Sequence, residues 1–278
     1  ALAPLATPSA TPDDGFIDAV LDETPAPVAA KPTDAPGEWR YETSKITVHI
    51  TRHTLDNLVY FAADIQLTSP AQFSYAFANE RYGAGTETLS DIAERNNPLV
   101  AINGDYCGFH DNGVIIRGGE LFRKKNSARQ MLIVDARGDL SVLSDRSEKQ
   151  SVVAERLLAE GALHTFEFGP VLVENGEAAA LSSAIVRVEK GYLEPRTAIG
   201  QLGPLHYLVI VVDGRSEGYS QGCDLPTLQS LFLEHGAQIA FNLDGGGSTT
   251  LWFNGEVINH PASGSERKVS DIVMFLRE

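Results

Sequence analysis

The sequence predicts an α+β domain with mixed, largely antiparallel sheets of short strands and about three helices. Many short apolar runs end at turn residues, which is typical of short strands. Only three segments carry helical patterns with start or stop signals. Strands do not alternate strictly with helices, which disfavours a doubly wound parallel sheet. With 278 residues, 43% of them hydrophobic, the chain can fill one sizeable core.

The first 38 residues differ in composition from the rest of the chain. Residues 1–38 are rich in Ala, Pro, Thr and Asp, and such a composition cannot bury enough apolar surface to order itself. We interpret them as a Pro/Ala-rich spacer before one domain over residues 39–278. A membrane tether upstream of residue 1 would suit such a spacer. Within it, Gly15–Leu21 has the pattern of a short docked helix.

Short apolar runs predict the strands in chain order. They cover residues 46–50, 58–67, 73–77, 99–102, 114–116, 121–122, 131–134, 165–168, 171–173, 196–200, 206–212, 239–241, 251–253 and 272–276. One helix should begin near Thr88, which has an acidic residue three positions later. A second should run over about 151–160, and a third should follow Asp224, an N-cap residue before an apolar face.

The stretch FNLDGGGSTTLWFNG, from Phe241 to Gly255, is the most unusual part of the chain. Three consecutive glycines, Gly245–Gly247, follow Asp244 and precede Ser248. A strand interior does not use three glycines, because they add no packing and lose the most backbone entropy on folding. They predict close approach of the backbone to a ligand, with N–H donors pointing at it. A tight turn between two strands is the alternative.

Several predicted strands end in polar residues that a core has no use for. Loops held at strand ends by a rigid scaffold often carry a functional site. Taken singly, each residue also suits an ordinary turn or a surface position. Their repetition favours a site built from Asn103, Asp105, Arg196, Thr197, Asp213, Arg215, Asn242 and Asp244.

Six motifs together resemble those of one known family. They are NGDYCGFHDNGVIIRGG, FGPVLVENGE, PRTAIG, VVDGRSEGYSQG, NLDGGGSTTLWFNGEVINHP and ERKVSDIVMF, and they extend over about residues 91–275. Their order and content resemble the phosphodiester glycosidase family, whose bacterial members are often related to exopolysaccharides. The resemblance implies hydrolysis of a sugar-1-phosphodiester at the anomeric carbon.

The residue types suit that chemistry. The leaving group is a phosphate oxyanion with a second pKa of about 6. It therefore needs positive charge and N–H donors more than it needs a proton. Arg196 is the first choice for this role, followed by Arg267 and Arg215. Asp244 would act on the sugar as nucleophile or as base for water, with Asp213 as its alternative or helper.

The remaining polar residues of these motifs would bind the substrate. Asn103 and Asn242 would hold sugar hydroxyls or orient the carboxylates. Thr197 is assigned to the same substrate-binding group. Gly245–Gly247 and Ser248 would offer N–H and hydroxyl donors to phosphate.

No cofactor is required by this chemistry, although a calcium site competes for some of the same residues. Asp105, Asp111 and Asn112 carry oxygen ligands of the kind that Ca²⁺ accepts, but their spacing matches no known calcium loop. Histidine spacing does not support zinc. The two cysteines, Cys107 and Cys223, would form one disulfide or remain free thiols.

The formal net charge of -15 and the pI of about 4.8 argue against a nucleic-acid partner. An anionic substrate must therefore be held by a local arginine cluster. We predict an extracellular or cell-surface hydrolase that acts on a phosphorylated glycan. A non-catalytic carbohydrate- or phosphate-binding module and a structural surface protein are the alternatives. Only two tryptophans, Trp39 and Trp252, disfavour the binding module. The sugar and the stereochemical outcome stay open.

Overall fold

The structure is a computed structural model that describes residues 37–183 and 185–278. It confirms the α+β class. The described strands, numbered in chain order, are β1 Glu38–Glu42, β2 Ile46–Leu55, β3 Leu58–Leu67, β4 Phe73–Phe77, β5 Val100–Asn103, β6 Gly113–Arg117, β7 Glu120–Lys125, β8 Gln130–Asp135, β9 Leu140–Leu143, β10 Ala162–Phe168, β11 Val171–Glu174, β12 Glu177–Ala178, β13 Arg196–Gly203, β14 His206–Val212, β15 Ile239–Asn242, β16 Leu251–Phe253, β17 Glu256–Val257 and β18 Asp271–Phe275. The helix predicted over Gly15–Leu21 lies outside the described residues.

The helices are α1 Leu89–Asn96, α2 Gln150–Ala159 and α3 Leu225–Glu234. The predicted caps of α1 and α3 are confirmed. The side chain of Thr88 accepts a hydrogen bond from the Asp91 N–H at 3.2 Å, and Asp224 accepts one from the Thr227 N–H at 2.9 Å. These bonds satisfy N–H groups that the first turn of a helix leaves unpaired. Among the described helices, none is long and apolar enough to cross a membrane.

Two antiparallel sheets form the frame of the domain. The larger has eight strands in the order β1-β2-β3-β14-β13-β15-β11-β12, and the smaller has five in the order β17-β16-β5-β18-β4. Side chains of both sheets fill one buried cluster between them, including Phe61 and Phe241 from the larger sheet and Phe275 from the smaller. The two sheets therefore face each other across the main core.

Helices cover the outer faces of these sheets. Leu228 and Phe232 of α3 pack on the larger sheet, and Ile92 of α1 packs on the five-stranded sheet. A three-stranded sheet, β10-β8-β9, and the β6-β7 hairpin complete the fold, with α2 packed against them.

The two cysteines are free and buried, so of the two alternatives left open by the sequence the structure has the free thiols. Cys107 packs with Phe77 and Ile115. Cys223 lies in the cluster under α3, on the opposite side of the larger sheet from the main core. The two loops that carry them do not converge, so their thiols do not come close enough for a disulfide.

The Gly-rich stretch connects the two sheets. β15 belongs to the larger sheet and β16 to the five-stranded sheet, so residues 243–250 pass from one to the other. β13 runs antiparallel to β15, with Ala198 opposite Asn242. The start of β13, at Arg196, therefore lies beside the end of β15, next to Asp244. This edge of the larger sheet is where the candidate site forms.

Candidate active site

The backbone of Asp244 is bound to the end of β5 and, through Asn103, to β13. Its N–H donates to the Gly104 carbonyl at 3.3 Å, and its carbonyl accepts from Asn103 Nδ2 at 2.6 Å. Asn103 Oδ1 in turn accepts from Thr197 Oγ1 at 2.8 Å. Asn103 and Thr197 are fully buried, so they position the Asp244 backbone from behind. Of the two uses predicted for Asn103, these contacts favour the second, because they fix the backbone that carries the carboxylate.

The three glycines allow close approach to neighbouring protein groups. A Cβ at Gly245 would lie 2.6 Å from the Pro195 carbonyl oxygen, and one at Gly246 would lie 3.2 Å from an Arg215 Nη atom. The Gly246 N–H donates to the same Pro195 carbonyl at 2.9 Å. The Gly246 N–H was expected to be a donor for a ligand, but the Pro195 carbonyl already accepts its hydrogen bond.

The Asp244 carboxylate is buried and bound to Arg267. Arg267 Nη2 donates to Asp244 Oδ2 at 2.9 Å, and Arg267 Nε donates to Ser248 Oγ at 2.9 Å. Burial raises the pKa of Asp244 above its ordinary value, while Ser248 and Arg267 oppose that increase. The Arg267 side chain is about half exposed, at 49%, whereas that of Asp244 is 11% exposed. The pair therefore presents a shielded carboxylate and an accessible guanidinium.

Asp244 and Arg267 stand at the shared wall of a two-lobed cavity. The aromatic lobe encloses about 310 Å³ and the arginine lobe about 340 Å³. Both are lined by Asp244, Arg267, Phe168 and Ile185, and Tyr106 and Phe109 complete the aromatic lobe. The Tyr106 and Phe109 rings are stacked with centroids 5.8 Å apart, and the Phe168 ring meets Tyr106 edge-on at 5.5 Å. One lobe is thus apolar and the other strongly basic.

The arginine lobe contains all three arginines predicted from the sequence. Arg196, Arg215 and Arg267 line it together with Arg187, Tyr192 and Glu194. Arg196 is buried, and burial lowers the pKa of its guanidinium. Its Nε donates to the Cys223 carbonyl and its Nη2 to the Tyr192 carbonyl, both at 3.2 Å. Arg215 Nε donates to Glu194 Oε2 at 2.6 Å.

Asp213 lines neither lobe. Its oxygens accept from Tyr219 Oη at 2.8 Å and from Asn259 Nδ2 at 2.9 Å, and the His260 N–H donates to both. Burial raises its pKa, against these hydrogen bonds. Asn259 also donates to the Thr249 carbonyl at 3.2 Å. Asp213 therefore supports the far end of the Gly-rich stretch, and the structure does not bring it to the cavity beside Asp244.

Asn242 also points away from the cavity. Its Nδ2 donates to the Gly169 carbonyl at 2.8 Å, and the Gly169 N–H donates to the Asn242 carbonyl at 3.0 Å. These bonds fix the turn that follows Phe168, a wall of both lobes. These contacts favour a supporting role for Asn242 at that turn.

Asp105 lies in a buried ion network behind the cavity. Arg117 Nη2 approaches Asp105 Oδ1 at 3.3 Å and Asp271 Oδ2 at 2.8 Å, and the Glu167 N–H donates to Asp105 Oδ2 at 2.6 Å. Burial raises the pKa of both carboxyls, that of Asp271 to about 6. Ligand atoms of Asp105, Asp271 and Cys107 lie within 4.8 Å of one another. Arg117 already pairs with both carboxylates, which disfavours calcium at Asp105.

The aromatic lobe was not predicted from the sequence. Tyr106, Phe109 and Phe168 lie within two of the motifs quoted above, NGDYCGFHDNG and FGP, so their aromatic character was visible. Their convergence was not, because Tyr106 and Phe109 come from the loop after β5 whereas Phe168 ends β10. Ile185, Arg187 and Tyr192 lie in the connection between β12 and β13, which carries no strand or helix pattern.

Comparison with known proteins identifies the class. A family model described as phosphodiester glycosidase matches residues 96–276, which indicates a hydrolase of the glycosidase type. The chain belongs to the phosphodiester glycosidase family. The SPbeta prophage-derived uncharacterized protein YomE of Bacillus subtilis (strain 168) is 32% identical over 219 residues. That match covers 76% of this chain and 32% of YomE, so the chain spans about a third of that relative's length.

Solved structures share the fold. The catalytic domain of zebrafish N-acetylglucosamine-1-phosphodiester α-N-acetylglucosaminidase, auto-inhibited by its pro-peptide, matches with a TM-score of 0.67 and 19% identity over 90% of this chain and 87% of that chain. A hypothetical protein from Synechocystis has a TM-score of 0.56 and 15% identity over 87% and 64% of the two chains. A putative exported protein from Burkholderia pseudomallei has a TM-score of 0.55 and 17% identity over 79% and 74%.

Proposed function

We propose that the protein hydrolyses the glycosidic bond of a sugar-1-phosphodiester. The observation that carries this proposal is the Asp244–Arg267 pair at the wall between an apolar lobe and a basic lobe. The sugar lies in the aromatic lobe, and the phosphate lies in the arginine lobe. The anomeric carbon and its bridging oxygen then lie at the boundary, beside Asp244.

The reaction breaks the bond between the anomeric carbon and the bridging oxygen. The electron pair of that bond goes to the phosphate, which leaves as a phosphate monoester. Arg196 and Arg267 stabilise its negative charge, and little proton donation is needed because the second pKa of such a phosphate is about 6. Asp244 supplies the carboxylate that acts at the anomeric carbon, and water supplies the hydroxyl of the released sugar.

The experiment measures release of free sugar from a panel of sugar-1-phosphodiesters. We expect Asp244→Asn to reduce kcat by about 10³-fold, because the carboxylate that acts at the anomeric carbon is lost. We expect Arg196→Ala to reduce kcat by about 10²-fold, because the charge that stabilises the leaving phosphate is lost. Asp56→Asn is the matched control, because Asp56 is exposed in the turn between β2 and β3 with a φ of 47°, which asparagine tolerates. Full activity of Asp244→Asn would refute the assignment, whereas binding without turnover by the parent would identify a binding module.

The configuration of the released sugar then defines the role of Asp244. Direct attack by the carboxylate gives net retention through a glycosyl-enzyme intermediate, and activation of water gives inversion. Proton NMR of the first product formed distinguishes the two anomers. Both outcomes require Asp244 on the sugar side of the scissile bond.

We also propose that the substrate belongs to an extracellular or cell-wall glycan. Support comes from the acidic composition, which disfavours a nucleic-acid substrate, and from the structural relative described as a putative exported protein. Sugar release from isolated cell walls and from secreted polysaccharide would test this location. Turnover of soluble intracellular compounds alone would contradict it.

A further inference from the structure

The arginine lobe has more positive charge than one phosphodiester requires. Its charged lining residues are four arginines and two carboxylates, an excess of two positive charges. The chain as a whole has a formal net charge of -15. A local excess of this sign, in so acidic a protein, marks a surface for an anion.

Two of the four arginines have their charge neutralised within the lobe. Arg215 pairs with Glu194 at 2.6 Å, and Arg267 pairs with Asp244 at 2.9 Å. Within residues 37–183 and 185–278, Arg187 and Arg196 form no ion pair with a carboxylate. Both are instead organised by Tyr192, whose carbonyl accepts from Arg196 Nη2 at 3.2 Å and whose ring lies 5.1 Å from the Arg187 guanidinium carbon.

The positions of these two arginines differ along the lobe. Arg196 is buried beside the Gly-rich stretch, with its Cα 3.5 Å from the Cβ position of Gly245. Arg187 is exposed, with its guanidinium against the Tyr192 ring. Arg196 thus belongs to the buried part of the lobe, and Arg187 belongs to its exposed part.

A phosphodiester at the scissile bond carries a single negative charge, which the buried Arg196 can neutralise. Arg187 then remains without an anionic partner further along the path of the leaving group. Resting on the function proposed above, we propose that the leaving group carries a second phosphate, which Arg187 binds. The substrate class is thus a glycosyl phosphodiester with a further phosphate beyond the scissile one.

The test compares compounds that share one sugar and one scissile phosphodiester. One has glycerol as the leaving group's alcohol, a second has glycerol phosphate, and a third has the extra phosphate attached directly as a pyrophosphate. We expect the second phosphate to lower KM by about tenfold, the effect of one charge-assisted hydrogen bond at a partly exposed site. A larger decrease in KM for the glycerol phosphate compound indicates a poly(phosphodiester) chain as substrate. A larger decrease in KM for the pyrophosphate compound indicates a diphosphate-activated sugar.

Variants of Arg187 separate a specific contact from general electrostatics. Arg187→Ala should reduce the ratio of kcat/KM for the glycerol phosphate compound over the glycerol compound by about tenfold, whereas Arg187→Lys keeps the charge and most of that ratio. Arg156→Ala is the control, because Arg156 is an exposed arginine of α2 that lines neither lobe. It should retain the parental ratio.

The outcomes distinguish this inference from the function on which it rests. Turnover of all three compounds with equal KM overturns the second-phosphate proposal and leaves the glycosidase intact. If none of the compounds is hydrolysed, the proposed function fails. Calorimetry would then measure the affinity of the two glycerol compounds for the parent and for Arg187→Ala, to determine whether Arg187 binds the second phosphate. Equal affinities for both compounds would overturn it.

Discussion

At the scale of single residues, two opposing effects act on the pKa of Asp244, the carboxylate proposed to react. Burial disfavours its charged form and raises its pKa, while the hydrogen bonds and charge around it favour ionisation. Arg267 contributes both a hydrogen bond and a charge. The same guanidinium therefore favours the ionised form of Asp244, and in the proposed reaction it also faces the phosphate.

Arg267→Ala should move the acid limb of the kcat/KM profile to higher pH. Asp244 acts as a carboxylate, so activity is lost as pH falls through its pKa, and removing Arg267 raises that pKa further. We expect a shift of about one pH unit, besides a lower maximum. A pH–rate profile from about pH 4 to 9 measures it, with Arg156→Ala as a control that keeps the parental limb. An unmoved limb in Arg267→Ala would mean that another group titrates there.

The sequence predicted the residue types at this site better than their directions. Asn103, Arg196 and Asp244 follow or begin short strands, and a strand end is visible as the point where an apolar run stops. Whether such a residue faces a cavity depends on strand order and on what packs behind it, which one sequence does not contain. Asp213 has the same local pattern as Asp244, yet its oxygens face Tyr219 and Asn259.

At the scale of elements, the connection from β15 to β16 combines close packing with the carboxylate proposed to react. Its glycines allow the chain to pass against Pro195, Arg215 and Arg267. The sequence predicted close approach at this point, and the structure shows that the approaching groups are the neighbouring strand and two arginines. A glycine pattern specifies that space is limited without specifying which group limits it.

Gly245→Ala should impair both stability and activity. Its Cβ would lie 2.6 Å from the Pro195 carbonyl oxygen, so the backbone that carries Asp244 or Arg196 must move. We expect a loss of about 1–3 kcal/mol in the free energy of unfolding, as for other overpacked sites, and at least about tenfold in kcat/KM. Denaturant unfolding and steady-state kinetics measure the two effects.

Gly203→Ala on β13 is the matched control for that substitution. A Cβ at Gly203 meets no heavy atom within 4 Å, so the same chemical change should leave kcat/KM unaltered. If Gly203→Ala lowered kcat/KM as much as Gly245→Ala, the effect would come from the loss of glycine flexibility. The contact with Pro195 would then have no special role.

At the scale of the whole molecule, stability comes from two facing sheets and the helices outside them, without a covalent link between layers. Cys107 and Cys223 lie in separate clusters of this assembly. Burial raises the pKa of both thiols, that of Cys223 to about 12, so neither is a reactive thiolate near neutral pH.

The native protein should show almost no reaction with a thiol reagent, and both thiols should react once it is unfolded. We expect two thiols per chain in denaturant without any reductant, and the same Tm with and without dithiothreitol. Absorbance titration and calorimetry measure these values. Fewer than two thiols, or a Tm lowered by the reductant, would indicate a bridge that the structure does not contain.

The attachment of the Gly-rich stretch to both sheets has a consequence for motion. The Leu243 N–H donates to Thr197 in the larger sheet, and the next amide, of Asp244, donates to Gly104 beyond the end of β5. Freeing both amides together requires the stretch to detach from both sheets at once, which costs more than the fraying of a segment that is bound at one end. The Asp244 carboxylate is thus carried by a firmly held part of the chain. Substrate must enter past its exposed rim, where Phe109 and Ile185 stand 54% and 40% exposed.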